Sequence, residues 1–396
     1  MSTRFEPGAL PAGDMIPLSV PRLAGNEWKY VKQCLDTNWV SSVGPFVDRF
    51  EQTMASYIGC RKAVATVNGT AALHVALQVV GVEPDEEVLV SDLTFIAPVN
   101  AIRYLGAWPV FIDAEPDYWQ MDPGKVVDFL DKQCIWKDGR LRNKASGRRV
   151  SAVLPVHILG HPVDMDPIVE VARKYELKVV EDATECLGAK YKGRMAGALG
   201  DISCFSYNGN KIITTGGGGM IVTDNEAWAE KAKYLTTQAK DDPLEYIHHE
   251  IGYNYRLTNV LAAIGVAQME KLDEYVNVKR RIAKYYAEQL KGVRGLSLMA
   301  EAPWAWSTYW MYTLLVDRAE YGIDSRELLR RLAATGIQTR PLWQPIHASP
   351  AYKRIAGGDC PVADRLHRDA ISLPCSVGIT DAQLEKVART VQSFRA

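Results

Sequence analysis

Seven short apolar runs divide the first part of the chain, at about 62–67, 87–91, 108–112, 150–156, 177–181, 201–206 and 219–223. Most lack apolar–polar alternation, as expected of strands buried on both faces. Between them the apolar spacing changes to three and four, which predicts helices over Thr70–Val80, Phe95–Tyr104 and a segment closing at Tyr175. That last helix reads as opened by Asp166 at the N-cap with Pro167 at the first helical position. Earlier, a helix over Asn26–Thr37 would place Trp28, Val31 and Leu35 on one face, and Pro45–Tyr57 does the same with Phe46, Phe50, Met54 and Tyr57. Strand and helix in repetition predict a mostly parallel seven-stranded sheet covered on both faces. Ligands of such sheets sit beyond the carboxyl ends of the strands.

After about residue 255 the pattern changes. One long helix is expected over Thr258–Leu290, then short strands near Trp310–Val316, a helix over Ser325–Ala334 and a last helix opened by the capping box Thr380-Asp-Ala-Gln383. The expected division is a loose arm at 1–14, a large α/β domain at 15–257 and a smaller α+β domain at 258–396. A chain of 396 residues is long enough for two such lobes.

Composition narrows the classes. With 47% hydrophobic and 23% charged residues the chain is of ordinary globular type, and a net charge of -1 gives no general attraction for nucleic acid or anionic membrane. Neither is expected as a partner. Lys132–Arg149 is rich in Lys and Arg and reads as a solvated insertion loop. Seven cysteines without CxxC spacing point to reduced thiols rather than a disulfide framework or a zinc site, and the histidines do not group with carboxylates at ligand spacing. No metal is expected. The first residues lack the apolar core of a signal peptide, and no segment reaches bilayer length, so a cytoplasmic location is expected.

The chemistry concentrates at predicted strand ends. Asn68-Gly69-Thr70 closes the first strand and opens a helix, whose free N–H groups and dipole make an anion site with the Thr70 hydroxyl. Phe95 stands just beyond the second strand. Asp182 and Glu185 end the fifth strand; Ser206 ends the sixth, followed by Lys211 and the glycines 216–219. A lysine beside a glycine-rich turn is ordinarily solvated. Here it joins an anion cradle, a flat apolar face and a buried acid, and pyridoxal phosphate requires all four: phosphate, ring, pyridine nitrogen and aldehyde each need one of them.

Longer stretches carry a family resemblance. They are Asn38-Trp-Val-Ser-Ser-Val-Gly44, Asn68-Gly-Thr-Ala-Ala-Leu73, Thr94-Phe-Ile-Ala97, Glu181-Asp-Ala-Thr-Glu-Cys-Leu-Gly188, Phe205 to Gly219, Gly252-Tyr-Asn-Tyr-Arg256 and Arg340-Pro-Leu-Trp343 with Pro345-Ile-His347. From about Ile16 onward the chain resembles the DegT/DnrJ/EryC1/StrS sugar aminotransferases, which are fold-type I pyridoxal-phosphate enzymes. The resemblance implies that Lys211 forms the Schiff base with the cofactor, Asp182 pairs with the pyridine nitrogen and Phe95 stacks on the ring. It implies that Gly69, Thr70 and Ser206 hold the phosphate from one subunit and Asn254 from the other, making the active unit a homodimer with shared sites. Ser41, Ser42, Arg256 and His347 match positions near a sugar nucleotide.

Glu185 departs from the Gln or His common at its position, so it is expected either to carry a proton beside the cofactor's phenolic oxygen or to turn to the substrate. The implied reaction moves an amino group from L-glutamate to a nucleotide-linked keto sugar. The Gly209–Gly219 stretch, Glu185 and the 144–149 insertion are similar to members that aminate C4 of a UDP-linked 4-keto-6-deoxy-N-acetylhexosamine, in legionaminic acid or bacillosamine pathways. GDP-perosamine synthases share part of this pattern, and a dTDP-sugar stays open. Lys211 argues against the related dehydratases, which carry histidine there. A non-catalytic cofactor-binding regulator would have no reason to keep Asp182, Phe95, Ser206 and Lys211 together.

Overall fold

A computed structural model describes residues 15–242, 244–353, 355 and 358–395; the expected arm at 1–14 lies outside the described residues. The seven expected strands all form, as β1 (Lys62–Thr66), β2 (Glu87–Ser91), β3 (Trp108–Ile112), β4 (Val150–Leu154), β5 (Lys178–Asp182), β6 (Ile202–Ser206) and β7 (Gly219–Thr223). They make one sheet in the order β1-β7-β6-β5-β4-β2-β3. Only β7 runs against its neighbours β1 and β6. Strands such as Glu87–Ser91 and Gly219–Thr223 are buried at every position, which is why their sequences do not alternate.

Register sets the site. Thr66 pairs with Gly219, so the end of β1 lies beside the glycine run, and Cys204 pairs with Asp182, so Ser206 projects past the acid. A Cβ on Gly219 would stand 2.4 Å from the Asn68 carbonyl oxygen; only glycine allows this approach. A second, three-stranded antiparallel sheet of β8 (Leu296–Leu298), β9 (Tyr312–Val316) and β10 (Ala370–Leu373) forms the core of the smaller α+β unit, with the helix Ser325–Ala334 and the last helix Asp381–Ser393. The Thr380–Gln383 capping box is present.

Three expectations need correction. The long helix is two, Asn259–Met269 and Leu272–Leu290. The first is apolar nearly all round and packs under the helices Glu27–Asp36 and Pro45–Ile58; at the break, Glu270 accepts hydrogen bonds from Asn26, Tyr30 and Arg49, which holds the turn between the two. The first helix forms over Glu27–Asp36 within its expected span; the face carrying Trp28 and Leu35 is exposed, Trp28 at 81%, and Glu27 and Cys34 are buried. The helix after β4 starts at Met165 with Asp164 at the N-cap, because Tyr191 hydroxyl holds both the Asp164 carboxylate and the Asp166 backbone N–H. The basic insertion is a β-hairpin, Cys134–Lys137 with Arg140–Asn143, turned by Asp138-Gly139, both at positive φ. Asp-Gly between strands is the residue pair such a turn requires.

Candidate active site

The carboxyl ends of β1, β2, β5 and β6 open on one cavity of about 340 Å³. Asn68, Gly69, Thr70, Phe95, Asp182, Glu185, Ser206 and Lys211 all line it, with Thr184, Asn208, Asn210, Trp310 and Trp343 among the rest. These residues span most of the chain. The fold alone brings them together.

Each is placed for a local reason. Asn68 caps the helix Gly69–Val79 by accepting from Ala71 N at 2.8 Å, which leaves the first-turn N–H groups of Gly69 and Thr70 at the cavity wall. A Cβ on Gly69 would come 2.9 Å from Ser206 Cβ, so glycine lets the helix start close on the β6 hydroxyl. Phe95 is 55% exposed, an aromatic ring at the cavity rim rather than a core residue.

Asp182 is buried, accepts from Thr184 N at 3.1 Å and forms no ion pair among the described residues. Burial raises its carboxyl above the usual range against the opposing pull of the Thr184 contacts and Lys211. Glu185 accepts from Leu159 N at 2.9 Å and stands 3.5 Å from Lys211 Nζ. Burial pushes it up to about 7, with the Lys211 charge and the Leu159 bond opposing. The expected proton on Glu185 therefore has a physical basis, and its second oxygen turns to the lysine. Lys211 is 14% exposed at its side chain, and its ammonium also lies 4.2 Å from the centre of the Trp310 ring.

Five expected residues do not line this cavity. Ser41 and Ser42 lie in the link before the helix Pro45–Ile58, where Ser41 carbonyl accepts from Asn259 N. Asn254 is exposed, paired through its backbone to Thr237. Arg256 is buried in an ion pair with Glu51 and also donates to Ala65 O at 3.3 Å. His347 donates from Nδ1 to Asp92 Oδ2 at 2.6 Å, and its backbone N–H reaches Asp92 Oδ1 at 2.9 Å. That clasp pins the Arg340–His347 stretch to the end of β2 and brings Trp343 to the cavity.

Asp92, His347 and Cys360 also gather possible metal-binding atoms within 4.8 Å. Two ligands of a tetrahedral ion with bonds near 2.0–2.1 Å stand about 3.3 Å apart. The 2.6 Å contact is a hydrogen bond.

A sheet in this order, with an acid, a hydroxyl and a lysine from adjacent strand ends facing one cavity, defines a fold-type I pyridoxal-phosphate-dependent transferase. The chain belongs to the DegT/DnrJ/EryC1/StrS aminotransferase family, whose model matches residues 21–392. It is 39% identical to the GDP-perosamine synthase of Caulobacter vibrioides, over 94% of this chain and 96% of that protein. It is 38% identical to the GDP-perosamine synthase of Escherichia coli O157:H7, over 96% and 98%. Among solved structures, S. venezuelae DesV in complex with a ketimine intermediate matches with a TM-score of 0.84 at 31% identity, covering 93% of this chain and 94% of that one. The protein is a pyridoxal-phosphate-dependent sugar aminotransferase.

The side chains fit that cofactor on their own terms. The tight meeting of Gly69 with Ser206 leaves N–H groups and a hydroxyl converging as an anion cradle, and the buried Asp182 is in no ion pair among the described residues. Sequence reasoning missed Trp310, Trp343 and the Leu159 turn. The Trp310 indole donates to Asn210 O at 2.7 Å, a contact 100 residues apart in sequence, and Leu159 reaches Glu185 from a left-handed conformation at φ 60°. The available signals were the aromatic run Tyr309-Trp310 ahead of a strand and the Arg340-Pro-Leu-Trp343 stretch that carries part of the resemblance.

Proposed function

We propose that the enzyme transfers the amino group of L-glutamate to C4 of a nucleotide-linked 4-keto-6-deoxy sugar. The observation that carries this reading is the convergence of Lys211, Asp182 and Glu185 on one cavity with the Gly69–Thr70 helix start. When bound, pyridoxal phosphate supplies an electrophilic aldehyde and an electron-accepting ring. The Gly69 and Thr70 N–H groups and the Ser206 hydroxyl would hold its phosphate, and Phe95 would pack on its ring. Asp182 would face the ring nitrogen, and its buried carboxyl, raised above the usual range, would share a proton with it. Lys211, once its amine is free, would be the base that takes up and returns the proton at the reacting carbon. Glu185 stands within reach of that amine and gives or takes a proton near neutral pH.

The names of the relatives favour a GDP-linked sugar as acceptor, ahead of the UDP-linked acetamido sugar expected from Glu185 and the Gly209–Gly219 stretch. A homodimer completes the site in this reading. Trp28, Leu35, Trp39, Val40 and Val43 expose apolar surface around the Ser41–Ser42 link, as do Leu244, Tyr246 and Ile251 ahead of Asn254. Burying such a surface against a second copy is favourable, and it would carry Asn254 toward the partner's phosphate cradle.

The test is spectroscopic. Cofactor absorbance should change when glutamate is added and return when a GDP-linked 4-keto-6-deoxyhexose follows, with product mass confirming the amine. Return only with the UDP-linked acetamido sugar would reverse the order of acceptors. A glutamate response with no return from any nucleotide keto sugar would overturn the acceptor class.

A further inference from the structure

Lys279 is a buried cation that the proposed chemistry leaves unused. It lies on the helix Leu272–Leu290, 2% exposed, and forms no ion pair among the described residues. Its ammonium donates to Trp310 O at 2.9 Å and meets Cys375 Sγ at 3.5 Å. Holding an ammonium away from water without a carboxylate is costly, so the contacts it makes bear on why a lysine stands there.

Those contacts lead to the site. Trp310 is buried, its indole N–H is fixed to Asn210 O, and its ring faces the Lys211 ammonium at 4.2 Å. The same segment reaches Glu185 by a second route. Thr308 N donates to Gly160 O at 2.9 Å, and a Cβ on Gly160 would stand 2.6 Å from Trp310 N, so residues 308–310 seat the turn whose Leu159 N–H holds Glu185. Indole face and carboxyl together flank the free amine of Lys211.

We propose that Trp310 is the resting site for Lys211 whenever its amine is not joined to the cofactor, and that Lys279 is the positioning residue that holds Trp310 there. This rests on Lys211 being the nucleophile. A ring face attracts a compact ammonium more strongly than the nitrogen of a lysine that has condensed with an aldehyde, forming the C=N bond with loss of water, because any charge left on that nitrogen is spread over the conjugated system. The indole therefore favours the released lysine. Its removal should strengthen covalent capture of the cofactor and weaken the step in which an incoming amine displaces the lysine. A residue that only fills space would harm both.

The experiment measures two quantities on one set of variants. Binding of pyridoxal phosphate to cofactor-free protein is titrated by absorbance, with borohydride trapping at Lys211, and the half-reaction with glutamate is followed in a single turnover. Trp310→Leu should capture the cofactor about tenfold more tightly and react with glutamate about tenfold more slowly. Trp310→Phe keeps a ring face and should stay within about threefold of the parent in both. Lys279→Met, of similar volume, should shift both quantities in the same directions as Trp310→Leu by a smaller factor, and it serves as the readout if Trp310→Leu does not fold. Unchanged or weaker capture in Trp310→Leu and Lys279→Met would overturn the proposal. Failure of the parent protein to be trapped at Lys211 would instead sink the proposed function.

Discussion

Glu181 and Asp182 are neighbours on β5 and both are buried, yet they face different surroundings. Glu181 accepts from the backbone N–H groups of Gly197, Leu199 and Gly200 at 2.9, 2.7 and 2.6 Å and from His157 Nε2 at 2.9 Å. The tautomer follows from Val163 N–H donating to His157 Nδ1, which leaves the proton on Nε2. Burial pushes Glu181 up, but His157 and the backbone donors outweigh it, and its carboxyl lies below the usual range. Asp182, with one backbone donor close by and no ion pair among the described residues, is pushed the other way. Glu185, one turn on, is pushed up as well, with one backbone donor in Leu159 and the Lys211 ammonium 3.5 Å away opposing the rise. A buried acid with every lone pair answered holds the structure, and one left short of partners on a cavity wall is available for chemistry.

The largest effect that would sharpen this contrast lies at its centre. Lys211→Ala should lower turnover by about four orders of magnitude or more, since no other amine lines the cavity among the described residues. Next, Asp182→Asn should cost about 10²–10³-fold in kcat while changing folding stability by less than about 1 kcal/mol, because the amide removes a desolvated carboxylate as well as a function. Steady-state kinetics and urea unfolding of the same preparation decide it. A large stability loss with kcat preserved would place Asp182 in the class of Glu181.

Glu181→Ala should show the mirrored pattern. It strands three backbone N–H groups and the His157 donor in the interior, a loss of about 3–5 kcal/mol, while kcat per folded molecule stays within about twofold. If activity instead falls as steeply as in Asp182→Asn, the division between the two sides of β5 is wrong.

The cavity side of this contrast was legible in the sequence, the Glu181 side was not, and the reason is local. Strand ends announce themselves through apolar runs, so Asp182, Ser206 and Lys211 could be placed at one rim without coordinates. What was hidden depends on contacts between distant segments. Trp310 arrives from the smaller unit to cover Lys211, Asp92 meets His347 across 255 residues, and Glu270 breaks a helix through partners on two N-terminal helices. The Asp138-Gly139 hairpin is a different kind of miss, since its turn residues were in view and the density of positive charge was given more weight. Trp28 and Leu35 follow helical spacing faithfully but face outward, because amphipathic spacing does not say which surface a face will meet.

The smallest expected effect tests whether Glu185 belongs with Asp182, and it appears only as a function of pH. Its carboxyl moves from 4.5 to about 7 in the folded chain. A group whose value rises on folding binds its proton more tightly in the native state, so its contribution to stability is complete below about pH 4.5 and disappears as pH climbs through about 7. That interval corresponds to on the order of 3 kcal/mol for a group this buried, with the Lys211 ammonium 3.5 Å away already limiting the rise. Glu185→Gln keeps an oxygen for Leu159 N–H and has no proton to lose. Cofactor-free parent and variant should therefore differ in melting temperature by an amount that varies across pH 4.5–7 and levels off on either side. Titrating groups that do not touch Glu185 are common to both chains and cancel in the difference, which leaves Glu185 with its coupled neighbours Lys211 and Asp182. Parallel melting curves across that window would show that Glu185 is answered as fully as Glu181 and would remove it from the proton-handling side of the site.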